Sequence, residues 1–389
     1  MVVKKMKDGI YWVGVIDWGL RDFHGYATTR GGTYNSYLIL DEKITLIDNV
    51  YYPFTKELLE GISSIVDPSK IDIIISNHGE SDHSGSLVEI KKLAPHAKIY
   101  ASYPNGVKIL QATYPNLEVN PVKSMDVISI GKRTLRFIHT PMVHWPDNMV
   151  TYCEEDRILF SNDIFGQHIA SVERFDEEID LDVLRYETKK YFANIVLPYS
   201  NQVLKTLGEL KKLDVEIVAT SHGVAWKKYI PMAFKLYEEM ATHQKTNKAV
   251  IIYDTMWGST EKMAKAVLDA FIEANIPAVL YPIRKTAESD LMVELMEAKY
   301  IAVGSPTLNN GMLTSIASFL HYMKGLKPQN LRYFAFGSYG WGGQSPSLID
   351  KELEAMGFER ILDPVKQYFV PTEEELSNLK KQLIEKLTI

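Results

Sequence analysis

The chain has 389 residues, of which 46% are hydrophobic and 24% are charged, and its formal net charge is -6 at pH 7. This composition is that of a globular protein with two or three domains, and it excludes a globally disordered chain. The net charge is weakly negative and no tract of Lys or Arg occurs. The chain therefore lacks the basic surface expected of a protein that binds nucleic acid or an anionic membrane.

Cysteine is nearly absent, because Cys153 is the only one in the chain. One thiol cannot build an intrachain disulfide, a rubredoxin centre, an iron–sulfur cluster or a cysteine-based zinc site. The N-terminal residues lack an apolar stretch of signal-peptide length, and no later run approaches the roughly 18 apolar residues of a membrane helix. We therefore expect a cytoplasmic protein without membrane contact.

Short apolar or alternating runs separated by turns fill the first half of the chain and predict β-strands. They lie at 11–15, 37–40, 45–48, 71–76, 99–101, 134–139, 158–161 and 217–220. Apolar residues with helical spacing occur between some of them, at 54–65 and 85–93. This half is predicted to be an α/β sandwich.

Potential metal ligands follow several of these strands. The loop after 71–76 reads Asn-His-Gly-Glu-Ser-Asp-His-Ser-Gly and contains four of them: His78, Glu80, Asp82 and His83. Three more lie where later strands stop: His144, Asp163 and His222. A single histidine at a strand end is more often a hydrogen-bonded structural residue. Four histidines and three carboxylates together at strand ends predict a dinuclear metal site.

The pattern changes after a polar stretch at 241–248. Beyond it, apolar runs at 249–253, 278–281, 300–304, 333–337 and 367–370 alternate with helical stretches such as 261–274 and 289–297. This alternation predicts a parallel, doubly wound sheet. We place the boundary so that the domains are 1–246 and 247–389.

Three loops at strand ends of the second half predict a cofactor site. The first, rich in hydroxyl groups and followed by a helix, suits a phosphate: Thr255, Met256, Trp257, Gly258, Ser259 and Thr260. The second is Ser305, Pro306, Thr307, Leu308, Asn309 and Asn310, and the third is Ser338, Tyr339, Gly340, Trp341 and Gly342. Glycine amides and aromatic faces suit a flat ring. A nucleoside triphosphate or a dinucleotide is disfavoured, because neither a Walker lysine nor a Gly-x-Gly-x-x-Gly is present.

These motifs carry a resemblance to known families. The first half resembles the metallo-β-lactamase superfamily, whose αββα fold carries His-x-[His/Glu]-x-Asp-His followed by His, Asp and His ligands. Glu80 stands where zinc hydrolases generally carry His, and the oxygen-richer donor set suits iron better than zinc. The second half resembles flavodoxins that bind FMN. Together they resemble the flavodiiron proteins, the A-type flavoproteins that include rubredoxin:oxygen and nitric oxide oxidoreductases.

The resemblance implies a non-haem diiron centre and FMN. One iron would be held by His78, Glu80 and His144, the other by Asp82, His83 and His222, and Asp163 would bridge them. The implied activity is reduction of dioxygen to water, of nitric oxide to nitrous oxide, or of both. The implied donor is external, with rubredoxin expected first and reduced deazaflavin left open. The implied assembly is a head-to-tail homodimer or a dimer of dimers, in which the FMN of one subunit faces the irons of the other.

Other histidines are interpreted separately. His24 resembles a histidine that the family places beside the open face of the irons, and we assign His24 and Tyr26 as candidate catalytic residues. A structural role for His24 is an equal alternative, and His168 is ambiguous in the same way. The remaining four are interpreted as structural or exposed: His96, His139, His243 and His321.

Two competing functions are carried forward. The first is a dizinc hydrolase of thioesters or similar substrates with a flavodoxin partner domain, against which Glu80 argues. The second is an electron-carrier flavoprotein whose lactamase-like half is only a docking module, against which the complete ligand set argues. The ligands themselves do not distinguish dioxygen from nitric oxide.

Overall fold

A computed structural model describes residues 3–387 of the chain. They form two compact units, one of residues up to Phe192 together with Tyr199–Glu238, and one of Ala193–Pro198 together with residues from Glu239 onward. The boundary after residue 246 stays a prediction. The last residues of the polar stretch at 241–248 belong to a strand, Thr246–Tyr253, which begins three residues before the predicted apolar run at 249–253.

The first unit is built from two large sheets and several helices. Its strands are β1 (Lys4–Lys7), β2 (Ile10–Trp12), β3 (Val15–Asp17), β4 (Asp22–Phe23), β5 (Tyr26–Ala27), β6 (Gly32–Tyr34), β7 (Tyr37–Ile39), β8 (Thr45–Ile47), β9 (Ile73–Ser76), β10 (Lys98–Ser102), β11 (Val119–Val122), β12 (Val127–Ser129), β13 (Thr134–His139), β14 (Met149–Cys153), β15 (Ile158–Asn162) and β16 (Ile217–Thr220). Its helices are α1 (Thr55–Ser63), α2 (Ser81–Ser84), α3 (Leu87–Leu93), α4 (Asn105–Thr113), α5 (Leu181–Tyr191), α6 (Ser200–Leu210) and α7 (Ile230–Ala241).

The two sheets pack face to face. One has the order β1-β2-β7-β8-β9-β10-β11 and the other the order β12-β13-β14-β15-β16, while β3 pairs with β6 and β4 with β5. Ile47 and Ile75 share one buried cluster with Phe137 and Phe160 of the second sheet. Because side chains alternate along a strand, their neighbours, such as Ile74, belong to a separate cluster that includes residues of α1, α3 and α4. The predicted αββα sandwich is confirmed.

One predicted strand is interrupted. The run at 11–15 forms two strands, β2 and β3, that end and begin on either side of Val13 and Gly14. A Cβ atom on Gly14 would lie 2.3 Å from the carbonyl oxygen of Tyr34. The chain therefore crosses from one sheet to another at a close backbone contact, which apolar periodicity alone does not reveal.

The second unit is a doubly wound sheet. Its strands are β17 (Thr246–Tyr253), β18 (Ala278–Pro282), β19 (Ala298–Gly304), β20 (Arg332–Tyr339), β21 (Glu359–Arg360) and β22 (Val365–Tyr368). Its helices are α8 (Ser259–Glu273), α9 (Glu288–Glu297), α10 (Thr314–Leu326), α11 (Ser345–Ala355) and α12 (Glu373–Leu387). The order is β18-β17-β19-β20-β21, with β22 also pairing with β20, and every pair is parallel.

This topology positions a ligand site. The chain turns in opposite directions from β17, to β18 on one side and to β19 on the other, so a crevice opens at the carboxyl ends of β17 and β19. The first two predicted cofactor loops follow those two strands. In the part of the chain that the structure describes, no helix is long and apolar enough to cross a bilayer.

Candidate metal centre and flavin pocket

The seven predicted ligands lie in loops at the ends of strands from both sheets. They follow β9 (His78, Glu80, and Asp82 and His83 in α2), β13 (His144), β15 (Asp163) and β16 (His222). The structure brings them together as two groups around one carboxylate. This convergence follows from packing the two sheets face to face.

The first group surrounds one oxygen of Asp163. His78 Nε2 lies 3.1 Å from Glu80 Oε2 and 3.8 Å from Asp163 Oδ2. His144 Nε2 lies 3.5 Å from Glu80 Oε2 and 3.6 Å from Asp163 Oδ2. These two imidazoles and two carboxylates can therefore converge on a single ion.

The second group surrounds the other oxygen of Asp163. His83 Nε2 lies 3.1 Å from Asp163 Oδ1 and 3.3 Å from Asp82 Oδ2. His222 Nε2 lies 3.2 Å from Asp82 Oδ2 and 3.5 Å from Asp163 Oδ1. Asp163 thus presents one oxygen to each group, which is what a bridging carboxylate requires.

Among the residues that the structure describes, several buried carboxylate oxygens of this site lack a hydrogen-bond donor and are available to bind cations. Within residues 3–387, neither carboxylate oxygen of Asp82 makes a hydrogen bond, and Asp163 Oδ2 makes none either, although both residues are buried. Burying a carboxylate without a compensating charge destabilises the fold by roughly several kcal/mol, and a bound metal ion supplies that charge. The residues therefore fit a pair of metal ions, and the donor set of four imidazoles and three carboxylates suits iron.

The same charges act on protons. Burial opposes protonation of His83, but the carboxylates of Asp82 and Asp163 outweigh it and raise its pKa to about 9. Burial would raise the pKa of Asp163, yet the neighbouring imidazoles of His83 and His78 hold it well below its usual range. Protons and metal ions therefore compete for the same side chains.

Hydrogen bonds from outside the ligand set orient two of the imidazoles. Asp147 Oδ2 accepts from His78 Nδ1 at 3.0 Å and from the Gly79 amide at 2.7 Å. The carbonyl of Thr33 accepts from His222 Nδ1 at 2.8 Å. Each bond fixes the ring so that Nε2 faces the metal position. Asp147 lies three residues after His144 and was not among the predicted functional residues.

A buried polar network supports the ligand loops from below. Asp48, just after β8, accepts from the Asn77 amide at 2.7 Å and from Asn77 Nδ2 at 3.0 Å. Asn162 Nδ2 donates to the same carboxylate at 3.4 Å. Because Asn77 precedes His78 and Asn162 precedes Asp163, one carboxylate connects two loops that carry ligands.

Asn148 extends this network to a third loop. Its Nδ2 donates to Asn162 Oδ1 at 3.0 Å, and its Oδ1 accepts from the Trp145 amide at 2.6 Å. Trp145 follows His144 directly. Through Asp48, Asn162 and Asn148, the network therefore connects the three loops that carry His78, Asp163 and His144.

His24 lies at the rim of a cavity over the ligands. It occupies the turn between β4 and β5 with φ 56°, and its Nε2 lies 2.9 Å from Glu80 Oε1. This hydrogen bond raises the pKa of His24. The cavity, of about 510 Å³, is also lined by Phe23, Asp82 and Trp145. Tyr26, the second candidate catalytic residue, is buried and does not line this cavity; its assignment stays a prediction.

Two further side chains contact the second ligand group. His168 is fully buried, its ring centre lies 5.0 Å from that of His222, and neither ring nitrogen has a hydrogen-bond partner in the described part of the chain. Burial lowers its pKa well below the usual range, so the ring is neutral. Tyr191, at the end of α5, lies 6.0 Å from His222 between ring centres. Tyr191 was not predicted to lie near the metal ligands, since a tyrosine in an amphipathic helix resembles a core residue.

The first flavin loop has the geometry of a phosphate cradle. Gly258 caps α8 with φ 87°, and its amide donates to Thr255 Oγ1 at 3.0 Å. Thr260 Oγ1 lies 2.9 Å from Ser338 Oγ, which connects the first loop to the third. The amides at the start of a long helix favour an anion.

The three loops surround a cavity of about 350 Å³. Its lining residues are Met256, Trp257, Ser259, Pro306, Thr307, Leu308, Asn309, Asn310, Ser338, Tyr339, Gly340, Trp341, Gly342, Phe369 and Val370. Trp257 and Trp341 are each 93% exposed and offer broad aromatic faces. Four predicted residues shape the loops without lining the cavity: Thr255, Gly258, Thr260 and Ser305. A phosphate cradle beside an aromatic cleft fits FMN.

The cavity has a fourth wall outside the three predicted loops. Phe369 and Val370 follow β22, and the Phe369 amide donates to the Tyr339 carbonyl at 2.8 Å. Phe369 has φ 53° and is 55% exposed. The run at 367–370 predicts a strand, but the strand ends at Tyr368, and the exposure of the next side chain, Phe369, is set by the fold and not by the apolar pattern.

Each half of the chain matches a known protein family of the predicted kind. Residues 33–223 match the family model described as ODP family beta lactamase, and residues 251–382 match the flavodoxin model. A nitric oxide reductase of Moorella thermoacetica is 42% identical over 92% of this chain and 91% of its own.

Solved structures extend this agreement to the whole fold. The structure of rubredoxin oxygen:oxidoreductase from Desulfovibrio gigas has a TM-score of 0.96 at 40% identity and covers 99% of this chain and 98% of its own. The flavodiiron protein of Giardia intestinalis has a TM-score of 0.96 at 34% identity, over 100% of this chain and 96% of its own. The chain therefore belongs to the flavodiiron protein family of oxidoreductases, whose cofactors are FMN and a pair of iron ions.

Proposed function

We propose that this protein reduces dioxygen to water, nitric oxide to nitrous oxide, or both, with electrons that an external donor delivers through FMN. The observation that carries the proposal is the pair of ligand groups that both contact Asp163, within a chain that also contains a flavin pocket. A dizinc hydrolase would need only water activation and has no use for a flavin. One relative is named a nitric oxide reductase and another a rubredoxin oxygen:oxidoreductase, which supports both nitric oxide and dioxygen as candidate substrates.

We assign the ligands as two sets. His78, Glu80 and His144 would hold one iron, and Asp82, His83 and His222 would hold the other. Asp163 presents one carboxylate oxygen to each group. Bound iron and FMN supply the electron transfer that amino-acid side chains cannot. The chain fixes the ligand geometry through hydrogen bonds to Asp147, to the Thr33 carbonyl and within the Asp48 network.

We assign His24 to proton handling and ligand orientation. Its Nε2 hydrogen-bonds Glu80 Oε1, and its side chain is 65% exposed at the cavity rim. It can therefore hold a proton at a position between solvent and the ligands. Phe23 and Trp145 line the same cavity with apolar surface, which limits water around the reacting molecule.

The partners are proposed from the relatives and from the flavin pocket. One relative is named for rubredoxin, which makes rubredoxin the first donor to test, and reduced deazaflavin remains the alternative. We propose a head-to-tail homodimer, supported by the family resemblance and by the exposed Trp257 and Trp341 beside the cavity. A cytoplasmic location stays the proposal made from sequence.

The test is to reconstitute anaerobically purified protein with iron and FMN and to follow consumption of each gas. Reduced rubredoxin and reduced deazaflavin are supplied in separate assays. His144→Ala should abolish gas reduction while FMN remains bound, because one iron loses a ligand. His96→Ala is the matched control, since His96 is half exposed and its ring nitrogen lies 3.7 Å from Asp72, outside both ligand groups.

Each alternative has its own outcome. Two zinc ions in the purified protein, with no gas consumption after iron reconstitution, would support the hydrolase. Unchanged gas reduction in His144→Ala would support an electron carrier whose first unit is only a docking module. Consumption of one gas far faster than the other would define the physiological substrate.

A further inference from the structure

Asp254 lies between the sheet and the phosphate cradle. It follows β17 directly, is 4% exposed, and its Oδ1 accepts from the Thr255 amide at 2.7 Å. Its Oδ2 accepts from Arg284 Nε at 2.7 Å and from the hydroxyl of Ser315. We propose that Asp254, with its charge balanced by Arg284, is the positioning residue that sets this cradle for the phosphate of FMN. The inference rests on the proposed function, in which FMN binds at this pocket.

The contacts lead directly into the cradle. The amide that Asp254 holds belongs to Thr255, the first residue of the loop. The hydroxyl of Thr255 in turn accepts from Gly258, which caps α8. Two consecutive hydrogen bonds therefore run from the carboxylate to the helix start, and they fix where the loop amides point. A phosphate binds through such amides at the start of a helix, and riboflavin has no phosphate to place there.

One carboxylate also connects three chain segments at the crevice. Arg284 belongs to the turn after β18, and Ser315 lies in the first turn of α10, which follows β19. The amide of Asp254 donates to the Gly304 carbonyl at the end of β19 at 2.9 Å. The loop after β17 is thereby held against both neighbouring connections by contacts within the protein.

Charge explains why Arg284 belongs to this arrangement. A buried carboxylate next to a phosphate would repel it, and Arg284 compensates that charge through a hydrogen bond at 2.7 Å. The guanidinium is 62% exposed, so it neutralises Asp254 without itself being buried. Removing the cation would leave an uncompensated buried charge beside the phosphate position. Arg284 therefore acts through Asp254.

The experiment compares FMN with riboflavin, which has the same ring system without the phosphate. Dissociation constants for the apoprotein are measured by flavin fluorescence. Asp254→Ala should weaken FMN binding by about 10- to 100-fold, the effect of losing hydrogen bonds to a charged group. Riboflavin affinity should change by less than about 2-fold. Asp254→Asn, which keeps an oxygen acceptor, should restore part of the FMN affinity.

A second buried carboxylate paired with an arginine provides the matched control. Asp350 accepts from Arg360 Nη2 at 2.6 Å and from the Tyr333 hydroxyl at 3.0 Å in the same unit, away from the residues that line the pocket. Asp350→Ala should lower thermal stability and leave the ratio of the two dissociation constants unchanged. Equal weakening of FMN and riboflavin in Asp254→Ala would overturn the proposal, since it would indicate general damage to the unit.

Arg284→Ala tests the charge argument. It should weaken FMN binding in the wild-type background and cause no further loss in Asp254→Asn, because no carboxylate charge remains to be compensated. An undiminished loss in that background would mean that Arg284 contacts the phosphate itself, and the proposed role would be wrong. Failure of the wild-type protein to bind FMN would refute the proposed function. Normal FMN binding in Asp254→Ala would refute only this inference.

Discussion

Replacing Asp48 with Asn tests whether the buried network beneath the ligands governs metal affinity. Asp48 has φ 52°, a left-handed conformation that Asn also tolerates, so the backbone need not move. A carboxamide offers one acceptor oxygen, whereas the carboxylate accepts from two donors of Asn77 and one of Asn162. The new NH₂ group must therefore face at least one buried donor.

The magnitude follows from these contacts. An unsatisfied buried donor costs about 1–3 kcal/mol, and loss of the charge removes part of that cost because burial already raises the pKa of Asp48. We expect a net destabilisation of about 2 kcal/mol for the first unit. Misaligned ligand loops should in addition weaken iron binding by about 10- to 100-fold, as for other groups that orient metal ligands.

The assay is anaerobic titration of metal-free protein with Fe²⁺ in competition with a chelator, alongside thermal unfolding. Asp41→Asn is the control, because Asp41 lies beyond the opposite end of β8 and accepts from Arg133 and from the amides of Glu42 and Lys132. It should lose stability without losing iron affinity. Wild-type iron affinity in Asp48→Asn, or an equal loss in Asp41→Asn, would refute the reasoning.

Three further predictions concern other parts of the chain. His24→Ala should keep its iron and lose turnover by about 10- to 100-fold, and equal turnover per iron would mean that His24 is only structural. Phe369→Ala should weaken FMN binding about 10-fold by removing the fourth wall, which flavin fluorescence would measure. Burial lowers the pKa of Lys245 from 10.5 to about 7, although its ammonium donates to the Leu295 and Met296 carbonyls. Between pH 7 and pH 10.5 the Lys245 side chain is more protonated in the unfolded chain than in the folded one. The free energy of unfolding should therefore rise by about 2 kcal/mol from pH 7 to 9. Denaturant titrations of Lys245→Met should show no such rise.

The ligand set could be predicted because each member lies where an apolar run stops. His78 and Asp163, for example, follow runs whose buried side chains form β9 and β15. Such runs are local signals, and they also revealed the parallel sheet of the second unit. The same periodicity missed the break at Gly14, because a backbone approach between distant segments leaves no apolar pattern.

The supporting residues could not be predicted from the sequence. Asp147 is 69 positions from His78, and nothing in its surroundings distinguishes it from a surface aspartate. Tyr191 and Phe369 have the same difficulty, since one lies in an ordinary amphipathic helix and the other at a strand end. Their roles depend on hydrogen bonds and ring contacts between segments that only the fold brings together.

The sequence by itself determined the chemistry of this protein. The donor types around Glu80 favour iron, and the hydroxyl-rich loop at 255–260 favours a phosphate. The tertiary structure decided the geometry. It placed one oxygen of Asp163 in each ligand group and aligned the network around Asp48. The reason is physical: residue types fix which bonds can form, whereas the packing of sheets and loops fixes which of them do.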